Sequence, residues 1–153
     1  RLLLDLYTIV ENVVQDLSLR ATQAGAKISH NIPKHLIITG NYTLLYSIFH
    51  NIVENAINYV EKAEIIIQLT HQDPGNVYFS ISDNGQGIPS DALAHIFERF
   101  YRVDKGRSRK AGGTGLGLSI VKHAVIFHGG KITAVNRTNG GLEFQFSLAR
   151  RSK

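Results

Sequence analysis

The chain reads as an α+β domain: a mixed, mainly antiparallel sheet with helices packed on one face. Two long segments repeat apolar residues at helical spacing, several short ones alternate with a period of two, and hairpin-type turns link the strands in place of regular βα crossovers. With 153 residues and 43% hydrophobic content, the sequence is sized for one domain with its own core. The sheet's second face is expected to be wet. No internal repeat, low-complexity tract or second domain boundary interrupts residues 1–153.

Taken in order, Leu6, Ile9, Val10, Val13, Val14, Leu17 and Ala21 recur at helical spacing, and Gly25 supplies a stop, so Leu6 to Ala24 is predicted as a core-facing helix. Lys27 to Ile32 and His35 to Thr39 are short β-like pieces around Pro33. Asn41 is then placed to cap a second helix running to Val60. Ala63 to His71 and Asn76 to Asp83 flank the turn Gln72-Asp73-Pro74-Gly75 and predict an antiparallel hairpin. Pro89 and Ser90 open a short predicted helix to Phe100, followed by a basic, glycine-containing loop from Val103 to Gly113. A helix from Leu116 to Phe127 ends at His128-Gly129-Gly130, and strands Lys131 to Asn136 and Leu142 to Leu148 surround Asn139-Gly140-Gly141.

Composition narrows the function. Lys and Arg total 17 against 12 Asp and Glu, but the excess collects in Arg102 to Lys110 and Arg150 to Lys153, a distribution that suits a local phosphate-contacting loop better than a nucleic-acid surface. No apolar run approaches the roughly 20 residues that span a bilayer, so the piece is expected to be soluble. Cysteine and methionine are absent and the chain starts at Arg1, which excludes disulfides and is expected of an excised fragment. The seven histidines do not space as a metal site.

The chemistry concentrates in three places. In NIVENAINYV, residues 51–60, Asn51, Asn55 and Asn58 line the edge of a broad apolar helical arc. Carboxamides offer an oxygen to a hard cation and an N–H to a phosphate oxygen without adding negative charge, which suits a Mg²⁺-nucleotide complex. One such asparagine is ordinarily a turn or surface residue; three aligned in mid-helix, where asparagine propensity is poor, point to a ligand. Next, the strand ending at Ser82 delivers Asp83 into Asn84-Gly85-Gln86-Gly87-Ile88, a carboxylate able to accept an exocyclic amine beside glycines that admit a flat ligand. Finally, Gly112-Gly113-Thr114-Gly115-Leu116-Gly117 opens directly into a helix whose first amides and dipole favour phosphate, although neither a Walker nor a Rossmann pattern is present.

In this order the motifs resemble the catalytic ATP-binding domain of bacterial sensor histidine kinases, within the superfamily shared with gyrase-type ATPases. NIVENAINYV resembles the asparagine box, DNGQGI the first glycine box, IFERFYRVD the phenylalanine box and GGTGLGLSIVK the second glycine box, so the match covers essentially the whole chain. The resemblance implies a two-layer α/β sandwich with a mobile ATP lid over residues 103–113, and residues 1–5 as a remnant of a preceding dimerisation hairpin. It implies ATP and Mg²⁺ as cofactors, with Asn55 as the metal ligand, Asn51 at the triphosphate, Tyr59 along the adenine and Asp83 as the adenine-reading carboxylate. Gly85, Gly87 and Ile88 would bound the purine pocket. Gly113, Thr114, Gly115, Leu116, Gly117 and Leu118 would form the phosphate-side wall, with Tyr101 beside Arg102, which resembles the lid-edge arginine at the terminal phosphate. Catalysis would rest on Asn51, Asn55 and Arg102, with Phe97 and Phe100 anchoring the lid. Asn58 departs from the family pattern, in which a lysine is common; Lys105, Arg107, Arg109 and Lys110 are then candidates for the missing charge, each equally readable as a solvated loop charge, and Glu54 is read first as a helix-surface or polar-network residue and second as a general base.

None of the seven histidines is followed by the Glu or Asp of the family's acceptor signature, so the phosphoacceptor is expected on a separate dimerisation domain. The resemblance further implies a response-regulator receiver as partner, no nucleic acid, a cytoplasmic location, and a membrane-anchored homodimeric parent from which this piece is a monomer. Two other readings share the fold: a nucleotide-sensing pseudo-kinase that serves as a binding module, and a serine-directed kinase of the anti-sigma type.

Overall fold

A computed structural model describes residues 2–101 and 116–151. Its elements are β1 (Leu2–Asp5), α1 (Leu6–Ala24), β2 (Lys27–His30), β3 (Ile37–Gly40), α2 (Tyr42–Tyr59), β4 (Glu64–Gln72), β5 (Asn76–Ser82), α3 (Gly117–Phe127), β6 (Ile132–Asn136) and β7 (Leu142–Ala149). Five strands form one sheet in the order β2-β4-β5-β7-β6, parallel only between β2 and β4, while β1 and β3 pair antiparallel as a separate ribbon. The predicted α+β architecture is therefore the observed one.

Helices α1 and α2 form where apolar stripe and side-chain cap agree. Asp5 caps α1 by accepting from the Tyr7 amide at 3.0 Å, and Gly25, at φ 70°, closes it by donating to the carbonyls of Ala21 and Thr22. Asn41 caps α2 through the Leu44 amide at 3.0 Å. Buried Leu45, Ile48, Phe49, Ile52, Val53, Ala56 and Ile57 turn α2 onto the sheet, where Phe49 meets Phe79 and Phe146 edge-on, both at 5.6 Å. The opposite face of the sheet carries Thr70, Tyr78, Ser80, Thr133, Glu143 and Gln145, polar as period-two alternation requires.

Helices α1 and α2 also meet along a polar seam. The Asn12 amide donates to the Tyr42 hydroxyl at 3.0 Å, the Tyr46 hydroxyl donates to Asp16, and Arg20 reaches both Glu54 and Asn58. The partners rise together in number, so the two helices run the same way, and each set repeats at multiples of four, one stripe per helix. Rings stack along the α2 stripe, Tyr42 on Tyr46 at 6.0 Å and Tyr46 on His50 at 5.4 Å.

The short helix expected over Ser90 to Phe100 is instead a run of turns. The amides of Ala92, His95, Glu98 and Tyr101 bond three residues back, to the carbonyls of Pro89, Ala92, His95 and Glu98. With Ala92 and Ile96 the buried residues, the segment has too little apolar surface to hold a continuous α-helix. The strand β1 was not legible at all. Its pairing of Leu2 with Gly40 and Asp5 with Ile37 depends on a partner 32 or more residues away.

Candidate functional site

The end of α2 and the end of β5 come together. Asp83 follows β5 directly and is 7% exposed. Its Oδ1 accepts from the Gly85 amide at 2.9 Å and the Leu142 amide at 3.1 Å, which leaves Oδ2 as the carboxylate's other acceptor. A methyl group at Gly85 would lie 2.8 Å from Val60 Cγ2, so glycine lets the Asp83 turn close against the C-cap of α2. The Glu64 amide donates to Asn84 Oδ1 at 2.8 Å and ties the same turn to the start of β4.

Across from this turn, α2 presents half-buried Asn51, Asn55 and Asn58, with Tyr59, 41% exposed, at its last position. Asn51 lies against the head of α3: a methyl at Gly117 would sit 3.8 Å from Asn51 Cβ, Cγ and Oδ1. The asparagine box and the second glycine box are thus in contact through these two residues. Leu116 occupies the N-cap of α3 and offers no side-chain oxygen to its first turn. Leu118, Ile88 and Tyr101 pack against the core, and Tyr101 stacks on His95 at 5.5 Å. Arg102, Gly113, Thr114 and Gly115, with the expected lid and its cations Lys105, Arg107, Arg109 and Lys110, lie outside the described residues.

Asn58 and Glu54 face a partner the motifs did not name. Arg20 of α1 donates to both, with Glu54 as an ion pair, which places Glu54 in the polar network expected of it. Of the two phenylalanines read as lid anchors, Phe97 packs on Phe144 at 6.0 Å, whereas Phe100 is 63% exposed with the Arg99 guanidinium 5.5 Å over its ring. Phe97 thus packs against the core and Phe100 does not, while the lid they were expected to anchor lies outside the described residues.

Two further residues brace the pocket from the β6–β7 turn. Asn136 Oδ1 accepts from the Ile88 amide at 2.9 Å while its Nδ2 donates to the Ile88 carbonyl at 2.7 Å. Gly87, at φ 76°, passes so close that a methyl there would meet Asn136 Oδ1 at 2.3 Å. Arg137 Nη1 donates to the Asp83 carbonyl at 2.9 Å. A methyl at Gly141, where φ is 102°, would lie 1.9 Å from the same carbonyl oxygen. Sequence reading marked Asn139-Gly140-Gly141 as a turn, and nothing local in it signals a contact with a segment about 50 residues earlier.

The arrangement combines a buried carboxylate with one oxygen held by two amides, a glycine turn closed against the end of α2, and an uncharged carboxamide beside the start of α3. This is chemistry for an adenine nucleotide. A model of the histidine kinase-, DNA gyrase B- and HSP90-like ATPase family matches residues 40–152, and the chain belongs to that family of ATP-binding domains. The sensor-like histidine kinase SenX3 of Mycobacterium tuberculosis is 34% identical over 144 residues, covering 94% of this chain and 35% of SenX3. The solved mycobacterial sensor histidine kinase MprB superposes with a TM-score of 0.86 at 24% identity, over 99% of this chain and 100% of that one, a likeness of fold. Histidine kinase ThkA, solved in complex with the response regulator TrrA, gives a TM-score of 0.78 at 24% identity, over 97% of this chain and 41% of that one. The chain spans about a third of the length of the curated relatives it matches, and it corresponds to the catalytic domain of sensor histidine kinases. No helix among the described residues is long and apolar enough to cross a membrane.

Proposed function

We propose that this domain binds Mg²⁺-ATP and presents the γ-phosphoryl group to a histidine on a separate phosphoacceptor domain of its parent protein, for onward signalling to a response-regulator receiver. The observation that supports it most directly is the Asp83 carboxylate, held at Oδ1 by the Gly85 and Leu142 amides with Oδ2 left for the adenine amine. Asn51 and Asn55 serve the triphosphate side, and Asn55 supplies a carboxamide oxygen to the metal. The donor set fits magnesium, which keeps several waters and needs few protein oxygens. When bound, the ion neutralises phosphate charge as it builds on the transferring group. Asn51 and the amides at the head of α3 orient the phosphates. Tyr59 covers the adenine, and Gly85, Gly87 and Ile88 shape its pocket. Arg102 and Gly113, Thr114 and Gly115 belong to the same reading on their sequence motifs. Partnership with a receiver domain is supported by the ThkA relative, whose structure contains the response regulator TrrA.

Calorimetric titration with a non-hydrolysable ATP analogue, with and without Mg²⁺ and against GTP, tests the nucleotide part; adenine-selective, Mg²⁺-enhanced binding is expected, and equal affinity for GTP overturns the role of Asp83. Incubation with ATP and a separately made phosphoacceptor hairpin tests transfer. Acid-labile phosphohistidine is the expected product; phosphoserine would favour the anti-sigma type, and no product the binding-module reading.

A further inference from the structure

Arg20 lies on α1, outside all four motifs, yet its guanidinium engages two residues of the asparagine helix at once. One contact is Glu54 Oε2 and the other Asn58 Oδ1. On a helical projection Glu54 and Asn58 lie on the side of Asn51 away from Asn55, within about 60° of it. A carboxylate that close to a triphosphate repels it, and Asn58 adds no charge of its own. A guanidinium carries only donors, so the oxygen of the Asn58 carboxamide must face it and Nδ2 must turn to the other side.

We propose that Arg20 is a positioning residue of the nucleotide site, which cancels the Glu54 charge beside the phosphates and sets the Asn58 carboxamide with its N–H₂ as the phosphate-facing donor. The inference rests on the nucleotide reading above. It assigns the charge compensation of this site to α1, with Asn58 acting as a donor that α1 orients. A residue that only joined α1 to α2 would affect every ligand alike, whereas this role acts on phosphate charge and leaves the base untouched.

The test compares two ligands on the intact domain: a non-hydrolysable ATP analogue with Mg²⁺ by calorimetry, and adenosine by NMR titration, which reads weak binding. Arg20→Ala is expected to weaken the ATP analogue roughly five- to tenfold, the scale of one partly exposed charge at the edge of a site, with adenosine changed less than about twofold. Adding Glu54→Gln to Arg20→Ala should recover most of that loss. Arg20→Met keeps the aliphatic stem against α2 and should reproduce the Arg20→Ala result, which guards against an effect of lost packing. Equal weakening of both ligands, or no change in either, overturns the proposal while leaving the site intact; a wild-type domain that binds neither ligand overturns the nucleotide reading itself.

Discussion

Asn136 clamps the backbone of Ile88 from both sides, accepting from its amide at 2.9 Å and donating to its carbonyl at 2.7 Å. The clamp holds a residue of the first glycine box, which follows the central strand β5, from the end of the edge strand β6. Asn136 is itself exposed, so its value to global stability is modest and its value to the shape of the loop is larger. Asn136→Ala should cost about 1–2 kcal/mol of stability, two neutral hydrogen bonds at net worth. It should also weaken the ATP analogue several-fold; a calorimetric affinity equal to wild type would show that Ile88 holds its position without the clamp.

Asp83 allows folding and recognition to be separated. In Asp83→Asn the Oδ1 atom can still accept from Gly85 and Leu142, so the melting temperature should fall by only a few degrees. The second oxygen becomes an N–H₂ group, which in the proposed site would set a donor against the adenine amine, also a donor. At least a tenfold loss in affinity for the ATP analogue is expected, the scale of a buried polar mismatch. A large drop in thermal stability with unaltered affinity in the folded fraction would place Asp83 in the fold alone.

Gly141 is the glycine against which the backbone of Asp83 packs. Its φ of 102° disfavours any side chain, and a methyl would approach the Asp83 carbonyl oxygen to 1.9 Å. Gly141→Ala should therefore destabilise the domain by about 3 kcal/mol or more. Chemical denaturation reads this directly, and a midpoint within experimental error of wild type would contradict the packing.

Tyr46 makes the α1–α2 seam sensitive to alkali. Burial, and then its hydrogen bond to Asp16, push its hydroxyl up to about 12 from an ordinary 10. The neutral phenol is thus favoured in the fold. Its contribution is fully present below pH 10 and is lost as the pH rises through about 12. Denaturation midpoints should fall across that window in the wild type and fall less steeply in Tyr46→Phe, which has no proton to lose. Identical pH profiles for the two would assign the alkaline loss to other groups.

Much of this was readable in advance because it is local. The boundaries of α1 follow from an apolar stripe and Gly25, those of α2 from Asn41 and the asparagine stripe, and the β4–β5 hairpin from its Asp73-Pro74-Gly75 turn. Asn51, Asn55 and Asp83 stood out because their residue types are unusual where they occur. What escaped was non-local. Asn136, Arg137 and Arg20 are ordinary residues in ordinary places until the chain folds, and each acts on a partner 34 to 54 positions away. Strand β1 likewise has meaning only beside β3. The Ser90 to Phe100 helix was over-read from Pro89 and Ser90, a start signal without enough buried surface behind it to sustain the turns that follow.

The bonds from Asp83 to Leu142 and Arg137, and from Ile88 to Asn136, span 48 to 59 residues of chain. The Asp83 carboxylate is delivered by β5, but its orientation is set by residues of the β6–β7 hairpin. During synthesis the Asp83 turn cannot take its final form until the β6–β7 hairpin has emerged and paired, whatever the state of α2. If the proposed site is the nucleotide site, a ligand that stabilises it selects chains in which the β6–β7 hairpin has paired over those in which it has not.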